Sequence, residues 1–481
     1  MSSSKNKTFW FYIEPFVHIA LKKNHLLLYN TLNGKAIEQT AFSPSGGNGQ
    51  VASAAYKSSG NSVLENADRN AGFSSKIFNI CKKLLSKKNL RVIRLTETEL
   101  LKNLLLAKFI KKVINYHMGD LLEVSLSAGK PMQLAPMLSI QRDVERLRKD
   151  PGHSVGEYVL NYLDEISFYI NDGYELDMPI FYSGWQQFLC GIKSRGRNRE
   201  LELEKIGTLL DEAAGSPLSR INILGGNIFN YSKFPALLAL LGSHKAVKTF
   251  HLHYTQLENR EKELYDMAAQ DSAKLRVLID FPLQEKQLAG AFQSVEEKNL
   301  DTVFEFIVAS EADFRKAQEL IAALKIAGYS FQPFYNGRNL GFFKKYVFLK
   351  KQAVLASKPT IEEVLSRSVV NAVNFGRLTA LPNGSVYANV NAGKLGRLGK
   401  DSLPKMIFKE MDKGKSWRRR RSKAAPCKDC VFELLCPPLS NYEYAIGKNN
   451  LCTIWKPGAG KKNLSDLATG GPAGGQTFVK V

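Results

Sequence analysis

Four of the six cysteine residues of this 481-residue chain lie close together near its end. Cys427, Cys430, Cys436 and Cys452 are spaced as C-x2-C-x5-C-x15-C. Two cysteines two residues apart let a tight turn present both thiolates to one metal, and the later pair completes a set of four sulfur ligands. Such a set suits either zinc or an iron–sulfur cluster, and the spacing alone does not choose. The pattern therefore predicts a metal site, with structural or redox thiols as the alternative.

The cysteine distribution, the lack of long apolar stretches and the net charge indicate the compartment and the kind of partner. Long cysteine-poor stretches argue against a secreted disulfide scaffold and indicate a reducing compartment. No signal peptide and no apolar stretch of about 20 residues is visible, so we expect a cytoplasmic protein with no membrane partner. A net charge of +22, from 67 basic and 45 acidic residues, favours an anionic partner. The one dense basic run, Arg418 to Arg421, is interpreted as a solvated surface.

The middle of the chain alternates between apolar strand patterns and helical patterns. Strands are expected at residues 166–170, 220–224, 249–254, 275–281, 302–309 and 329–335, with helices near 200–214, 234–241, 258–270, 284–298 and 312–326. Such alternation predicts an α/β fold with a parallel sheet, and six units predict a partial (β/α)6 TIM-like barrel. In such folds the chemistry lies at the carboxyl ends of the strands.

Composition shifts divide the chain into six segments. We expect N-terminal β-hairpins (1–41), a flexible Gly/Ser-rich insert (42–72), an α+β module (73–153), the α/β barrel (154–356), a cysteine domain (357–457) and a flexible tail (458–481). Within the α+β module, a single long amphipathic helix is expected from about Glu97 to Tyr116. The cysteine domain opens with a hairpin that turns at Pro382-Asn383-Gly384.

The cysteine stretch from Cys427 to Glu443, with Asn450-Leu451-Cys452 after it, resembles the C-terminal SPASM-type region of radical SAM peptide maturases. The hairpin at Pro382-Asn383-Gly384 and the segment Lys415 to Arg418 fit the same region. In that family the region carries an auxiliary 4Fe-4S cluster. The resemblance therefore implies one 4Fe-4S cluster at the four cysteines and favours it over zinc.

The catalytic motif of that family is absent. A radical SAM enzyme needs C-x3-C-x2-C after the first barrel strand, where three thiolates hold a cluster whose fourth iron binds S-adenosylmethionine. Here Tyr174, Met178 and Phe181 stand at that spacing, and Cys190 is the one thiol nearby. The resemblance thus implies a degenerate site that does not use S-adenosylmethionine.

A second family feature is also altered. Gly225-Gly226-Asn227 after the second strand resembles the family's Gly-Gly-Glu turn, whose acid pairs with the amino group of S-adenosylmethionine. Asn227 lacks that charge. Taken alone, the same residues are also consistent with any strand-to-helix turn that contains two glycines.

Together these features resemble the pseudo-radical-SAM proteins that accompany true maturases in double-glycine-leader peptide systems of Bacteroidales-type bacteria. The resemblance implies a non-catalytic accessory or scaffold protein whose partners are a precursor peptide with a double-glycine-type leader and a radical SAM maturase. The α+β module is expected to dock the leader by adding a strand to a sheet edge.

Two other functions stay open at this point. One is an active radical SAM peptide maturase that supplies its cluster differently. The other is a zinc-knuckle nucleic-acid-binding protein that uses Trp417 and Arg418–Arg421, although knuckles of that type rarely follow such a barrel. His251 and His253 share one face of a strand and are expected to be a satisfied core or rim pair, and Asp280 is expected to cap the next turn.

Overall fold

The computed structural model describes residues 6–23, 25–40, 75–86, 88–127, 129–131, 133, 159–172, 184–190 and 199–454. The predicted insert (42–72) and tail (458–481) lie outside this part. The described residues belong to two compact units. Unit 1 is drawn from Met1–Met137, Lys351–Leu365 and Lys428–Cys436, and unit 2 from Leu138–Lys350, Ser366–Cys427 and Pro437–Val481.

Among the described residues, the N-terminal part of unit 1 contains two small antiparallel sheets and three helices. In chain order its elements are β1 (Thr8–Ile13), β2 (Val17–Lys22), β3 (His25–Asn30), β4 (Ala36–Thr40), α1 (Ser75–Leu84), β5 (Val92–Thr96), α2 (Glu97–Leu101), α3 (Leu104–Asn115) and β6 (Gly119–Glu123). One sheet has the order β2-β3-β4 and the other β5-β1-β6. Apolar side chains from both sheets and from α1 and α3 form one core.

The N-terminal hairpins are confirmed only in part. Strands β2, β3 and β4 form the expected antiparallel hairpins, with Gly34 at a φ of 75° in the turn before β4. Strand β1 instead pairs on one side with β5 and on the other with β6, which lie 80 and more residues later in the chain. Long-range pairing of this kind leaves no local signal in the sequence, because the alternation of apolar and polar residues along a strand does not identify the strand with which it pairs.

The single long helix expected from Glu97 to Tyr116 is wrong, since the chain forms two helices there. Thr96 and Glu99 make a capping box at the start of α2, which ends at Leu101. The Asn103 Oδ1 atom then accepts a hydrogen bond of 2.9 Å from the backbone N–H of Leu106 and begins α3. Asparagine favours this capping position over a helix interior, so the break follows from one side chain.

Unit 2 is built on a nine-stranded, mostly parallel sheet. Its elements in chain order are β7 (Glu165–Tyr169), α4 (Leu203–Glu212), β8 (Arg220–Leu224), α5 (Phe234–Gly242), β9 (Val247–His253), α6 (Glu261–Ala268), β10 (Ala273–Ile279), α7 (Glu285–Glu297), β11 (Asp301–Val308), α8 (Glu311–Ala323), β12 (Tyr329–Pro333), α9 (Leu340–Tyr346), β13 (Arg377–Ala380), β14 (Ser385–Tyr387), β15 (Gly396–Arg397), α12 (Leu403–Lys413) and α13 (Tyr442–Ile446). Helices α10 (Lys351–Ala356) and α11 (Ile361–Val369) lie between α9 and β13 in the chain; α10 belongs to unit 1, and α11 passes from unit 1 into unit 2 after Leu365.

The strand order of this sheet is β12-β11-β10-β9-β8-β7-β13-β14-β15, and β7 to β12 run parallel. The expected α/β fold with a large, mostly parallel sheet is therefore confirmed, and its six strands lie within two residues of the predicted bounds. Strand β13 also pairs in parallel with β7, a neighbour that the sequence did not indicate. The predicted hairpin forms between β13 and β14.

The two faces of the parallel sheet differ in chemistry. Side chains such as Ile166, Phe168 and Phe250 join the main apolar core together with the helices. The opposite face, called the polar face below, carries alternate residues of the same strands: Glu165, Ser167, Tyr169, Asn222, His251, Arg276 and Glu305. Six of these side chains are buried, and Arg276 is partly exposed. Because parallel strands are usually apolar on both faces, this polar face distinguishes the sheet from an ordinary parallel sheet.

Candidate functional site

The Gly225-Gly226-Asn227 turn at the carboxyl end of β8 is filled by amide side chains. Asn171, which follows β7, donates from Nδ2 to the Asn227 carbonyl (2.6 Å) and accepts at Oδ1 from the Gly226 N–H (2.9 Å). Gln256 Nε2 donates to the Gly226 carbonyl (2.8 Å). Asn227 Oδ1 accepts from the backbone N–H of Phe229 (3.1 Å). All three amide side chains are buried, so the turn is a closed hydrogen-bonded unit.

Gly225 is required by a close approach. A Cβ atom at this position would lie 2.1 Å from Asn171 Oδ1 and 3.1 Å from the Asn171 carbonyl oxygen. The space that a larger residue would need is therefore taken by Asn171. Sequence reasoning selected the two glycines and Asn227 but missed Asn171, whose signal is an asparagine placed directly after a buried strand.

The predicted degenerate cluster positions Tyr174, Met178 and Phe181 lie outside the described residues. Their interpretation rests on residue type alone: phenol, thioether and phenyl groups are not the thiolate ligands that iron–sulfur clusters use.

Cys190 is buried against the polar face. Its Sγ lies 3.3 Å from His251 Nδ1, and His251 Nε2 lies 3.5 Å from Asn222 Oδ1. Asn222 Nδ2 in turn donates to Glu165 Oε1 (2.9 Å) and Ser167 Oγ (3.0 Å). A chain of hydrogen-bonding groups therefore crosses three strands without reaching a solvent-facing nucleophile.

Burial makes His251 a determinant of acid stability. Burial lowers the pKa of His251 from 6.5 to about 3, and the Arg276 charge adds to the shift. The His251 imidazole therefore binds a proton more tightly in the unfolded chain than in the folded protein. The free energy of unfolding should fall on the order of 1 kcal/mol per pH unit as the pH drops from 6.5 towards 3. Urea unfolding at pH 7 and pH 5 measures this loss. In His251→Gln, which cannot titrate, the dependence should be smaller; an equal pH dependence in both proteins would refute the assignment.

His253 and Asp280 form a rim pair at the carboxyl ends of β9 and β10. His253 Nε2 lies 3.0 Å from Asp280 Oδ1, and His253 Nδ1 lies 2.7 Å from Thr255 Oγ1. The expected satisfied pair role of His251 and His253 is thus confirmed by their contacts. The expected capping role of Asp280 is wrong, because its carboxylate is paired with the His253 imidazole instead.

The interpretation of Arg418–Arg421 as a solvated surface is also wrong. Each guanidinium donates to a backbone carbonyl of unit 2: Arg418 to Met411, Arg419 to Ser440, Arg420 to Ser368, and Arg421 to Pro437. Trp417 is fully buried and donates from Nε1 to the Arg377 carbonyl (3.1 Å). These side chains satisfy carbonyl groups in the last turns of two helices (Met411 and Ser368) and in irregular chain (Ser440 and Pro437), so the run has a structural role within the unit.

Arg421 is the centre of the irregular region around Cys427. Its Nη2 lies 2.9 Å from Glu443 Oε1, and the two side chains are 7% and 2% exposed. Its Nη1 donates to the Asn449 carbonyl (3.0 Å) and lies 3.6 Å from Cys427 Sγ. A buried charge is tolerated only when it is paired and hydrogen-bonded, and Arg421 meets both conditions. The sequence hinted at this role only through an arginine run next to a cysteine.

Of the four predicted ligand cysteines, Cys427 and Cys452 belong to unit 2, and Cys430 and Cys436 belong to unit 1. In unit 2, burial raises the pKa of the Cys427 thiol, the Arg421 charge and hydrogen bond oppose this, and Cys452 adds to it. In unit 1, the Cys430 carbonyl accepts from the Glu433 N–H (3.3 Å), and the Cys436 N–H donates to the Phe432 carbonyl (2.9 Å).

Metal binding is tested here only by the chemistry of the donors. Among the described residues, no group of three or more His, Cys, Asp or Glu side chains is arranged to hold a metal ion. The donor set itself, four thiols with a guanidinium N–H beside Cys427, fits a soft metal or an iron–sulfur cluster.

The segment Lys428–Cys436 is held within unit 1 by the N-terminal hairpin. Lys22 Nζ lies 2.7 Å from Glu433 Oε1, and Lys23 Nζ lies 3.9 Å from Asp429 Oδ1. Lys351 Nζ lies over the Phe432 ring, 5.5 Å from its centroid. This part of the cysteine region is therefore packed on β2 and its turn.

Comparisons with known proteins give structural likeness but no family. No family model matches the chain, and no curated protein matches its sequence. The structure of Streptococcus suis SuiB bound to precursor peptide SuiA is 13% identical over 92% of this chain and 98% of that chain, with a TM-score of 0.45. SuiB bound to S-adenosylmethionine gives 11% identity over 92% and 97%, with a TM-score of 0.43.

A third solved structure, anSMEcpe with bound AdoMet and the Cp18Cys peptide, is 12% identical over 60% of this chain and 95% of that chain, with a TM-score of 0.38. Because these TM-scores are below 0.5, the fold assignment rests on the strand order given above. In the part of the chain that is described, no helix has the length and apolar character needed to cross a bilayer.

Proposed function

We propose that this chain is a non-catalytic pseudo-radical-SAM accessory protein in the maturation of a ribosomally made peptide. The observation that carries the proposal is the amide-filled turn at Gly225-Gly226-Asn227. In the family that the sequence resembles, an acid at the third position pairs with the amino group of S-adenosylmethionine. Here that position is Asn227, which has no charge to offer an ammonium group.

Three acceptors of the turn already receive hydrogen bonds from within the protein. Asn227 Oδ1 accepts from Phe229, the Asn227 carbonyl accepts from Asn171, and the Gly226 carbonyl accepts from Gln256. An incoming ammonium group would have to displace buried amides, and each lost buried hydrogen bond costs about 1–3 kcal/mol. This supports a protein that does not bind S-adenosylmethionine at this edge of the sheet. In the proposal, β7 to β12 form a degenerate radical-SAM-type (β/α)6 barrel.

The second part of the proposal is one auxiliary 4Fe-4S cluster in a SPASM-like domain. Cys427, Cys430, Cys436 and Cys452 are the proposed ligands, from their spacing and their resemblance to that region. Such a cluster supplies structural cross-linking or electron transfer when bound. The Arg421 N–H near Cys427 Sγ would stabilise a ligating thiolate through its charge and its hydrogen bond, against burial, which raises the pKa of this thiol.

The third part of the proposal concerns partners. Strands β5 and β6 are the edges of the β5-β1-β6 sheet, and an edge strand has unpaired backbone groups on one side. A precursor peptide with a double-glycine-type leader would add to such an edge in an extended conformation. The net charge of +22 would steer acidic leaders or an acidic partner maturase towards the protein.

Anaerobic purification followed by two assays tests the proposal. With reductant and S-adenosylmethionine, the protein alone should form no 5′-deoxyadenosine. Metal analysis should find about four iron atoms per chain, the content of one 4Fe-4S cluster, and Cys427→Ala should lose most of them while Cys81→Ala, a buried thiol in unit 1, retains them. Formation of 5′-deoxyadenosine by the pure protein would refute the non-catalytic assignment, and stoichiometric zinc without iron would refute the cluster.

A partner assay completes the test. The tagged full-length protein should capture the precursor peptide or the maturase encoded with it. If neither is captured at low or moderate salt, the accessory role is wrong even if the chemistry assays give the expected results.

A further inference from the structure

A short stretch of the chain, Gly184–Cys190, lies against the polar face of the sheet. Cys190 packs in an apolar cluster with Tyr169, Leu224, Leu278 and Ile307, which come from β7, β8, β10 and β11. Phe188 and Leu189 pack against the same cluster. The stretch, called the inner segment below, therefore covers the middle of this face with its own side chains. It contributes no strand of the sheet.

Two side-chain amides bind backbone in the manner of a β-bridge. Asn391 accepts at Oδ1 from the Gln186 N–H (2.9 Å) and donates from Nδ2 to the Gln186 carbonyl (2.7 Å). Gln187 accepts at Oε1 from the Tyr335 N–H (2.7 Å) and donates from Nε2 to the Tyr335 carbonyl (2.8 Å). Tyr335 lies just beyond the edge strand β12. An amide side chain that pairs with both the N–H and the carbonyl of one residue can hold an extended peptide whatever the side chain of the bound residue is.

Further contacts fix the direction of the inner segment. Gln186 Nε2 donates to the Tyr169 hydroxyl (2.8 Å) and to the Leu189 carbonyl (2.8 Å). At one end the Trp185 ring stacks on the Tyr444 ring at 5.6 Å, while 42% of Trp185 stays exposed. At the other end Cys190 Sγ meets His251 Nδ1 at 3.3 Å. The segment thus runs from a partly exposed aromatic stack into a buried thiol site.

We propose that the polar face of the sheet, with Asn391 and the Tyr335 backbone at its rim, is a groove for an extended peptide and that the inner segment is its intramolecular occupant. While the inner segment is bound, it excludes a second peptide from the groove. The inference rests on the Asn391 amide, which pairs with the backbone N–H and carbonyl of Gln186 and would pair equally with any extended residue at that position. The proposal holds whether or not the accessory function is correct.

Cys190 is a built-in reporter of this arrangement. It is 8% exposed, and burial raises the pKa of its thiol, with Glu305 adding to the shift and Arg276 opposing it. Alkylation by iodoacetamide requires a solvent-accessible thiolate, so it reports departure of the inner segment from the groove. Peptide mapping by mass spectrometry distinguishes alkylation of Cys190 from alkylation of the other five cysteines.

The first experiment measures Cys190 alkylation in the full-length protein. Gln187→Ala and Asn391→Ala each remove two hydrogen bonds to the inner segment and should raise the rate by about tenfold or more over the unsubstituted protein. Gln287→Ala, which removes an amide contact to Glu258 on an exposed surface, is the matched control and should leave the rate unchanged. Equal rates in all four proteins would overturn the proposal.

Global unfolding is excluded within the same experiment. Hydrogen exchange of the β8, β9 and β10 amides should stay slow in Gln187→Ala while Cys190 becomes reactive. If an amide variant does not fold, Trp185→Ala, which removes the stack on Tyr444, serves as the test variant with a smaller expected increase in the alkylation rate. Loss of protection throughout the sheet together with Cys190 labelling in every variant would mean that the stretch is an ordinary part of the core, and would overturn the proposal.

The second experiment asks whether the groove accepts a peptide in trans. The probe is a fluorescent synthetic peptide with the sequence of residues 184–190 and serine in place of Cys190. It should bind Gln187→Ala, in which the Asn391 amide is intact, and bind the unsubstituted protein at least tenfold more weakly. The double variant Gln187→Ala/Asn391→Ala should lose binding. Equal binding to the unsubstituted protein and to Gln187→Ala, or no binding to either, would overturn the proposal.

Discussion

Replacing Arg421 with methionine should destabilise unit 2 by about 3–5 kcal/mol, because it leaves the buried Glu443 carboxylate without its partner. The same change removes donors to the carbonyl groups of Pro437 and Asn449. These carbonyls belong to irregular chain that has no regular hydrogen-bond ladder, so the loss falls directly on the region around Cys427. Urea unfolding, followed by hydrogen exchange of α12 and α13, measures the effect.

Two further variants distinguish the stability lost by breaking the buried ion pair from the stability lost by removing a positive charge. Arg338→Met removes an exposed arginine of unit 2 and should change stability by less than about 0.5 kcal/mol. Arg421→Met/Glu443→Leu removes both charges and should be more stable than Arg421→Met alone, since no unpaired buried carboxylate is left. If the double variant is less stable by the sum of the two single losses, the ion pair is not what holds this region.

The predicted 4Fe-4S cluster connects to the same residue. Arg421→Met also takes away the N–H that approaches Cys427 Sγ, so a cluster at that position would lose a second-sphere hydrogen bond. Iron content that falls in Arg421→Met but not in Arg338→Met would link the arginine run to the cysteine site.

The sequence predicted the parallel strands well because their signal is local. Each of β7 to β12 is a short apolar run bounded by turn residues, and a helical pattern follows most of them. The alternation of the two patterns then leaves few topologies to consider. The added pairing of β13 with β7 could not be predicted in this way, because a four-residue strand more than 200 residues later carries no mark of its neighbour.

Two of the wrong predictions, the solvated arginine run and the single long helix, have a common physical origin in polar side chains that bind backbone. Arg418–Arg421 were interpreted from charge, yet their positions are decided by carbonyl groups of Met411, Ser440, Ser368 and Pro437 that the sequence does not display. Asn103 ended one helix and began another for the same reason. Whether an Asn or Arg side chain finds a backbone partner depends on the folded chain, so residue type and periodicity alone could not resolve it.

Part of the candidate site could be predicted from the sequence, and part of it could not. Gly225, Gly226 and Asn227 were identified from a motif, and the structure brings them together in one buried turn. Asn171 and Gln256, which hold that turn, were not identified, since each lies in a different strand-to-helix connection. Only the parallel register of β7, β8 and β9 brings the three connections to one edge of the sheet.

Gly225→Ala should cost at least about 2 kcal/mol of stability, because the added Cβ would lie 2.1 Å from Asn171 Oδ1 and force that amide out of the turn. Gly207→Ala is the matched control: its Cβ would have nothing closer than 3.9 Å, and in helix α4 alanine should stabilise by about 1 kcal/mol. Urea unfolding of the three proteins gives both values.

The double variant Gly225→Ala/Asn171→Ala identifies the cause of that loss. Asn171→Ala alone removes the hydrogen bonds to Gly226 and Asn227, but it also opens the space that the new Cβ needs. The two changes should therefore be less costly together than the sum of the separate losses. Strict additivity would mean that Asn171 does not fill the turn, and the argument that this edge of the sheet is closed to an ammonium group would lose its main support.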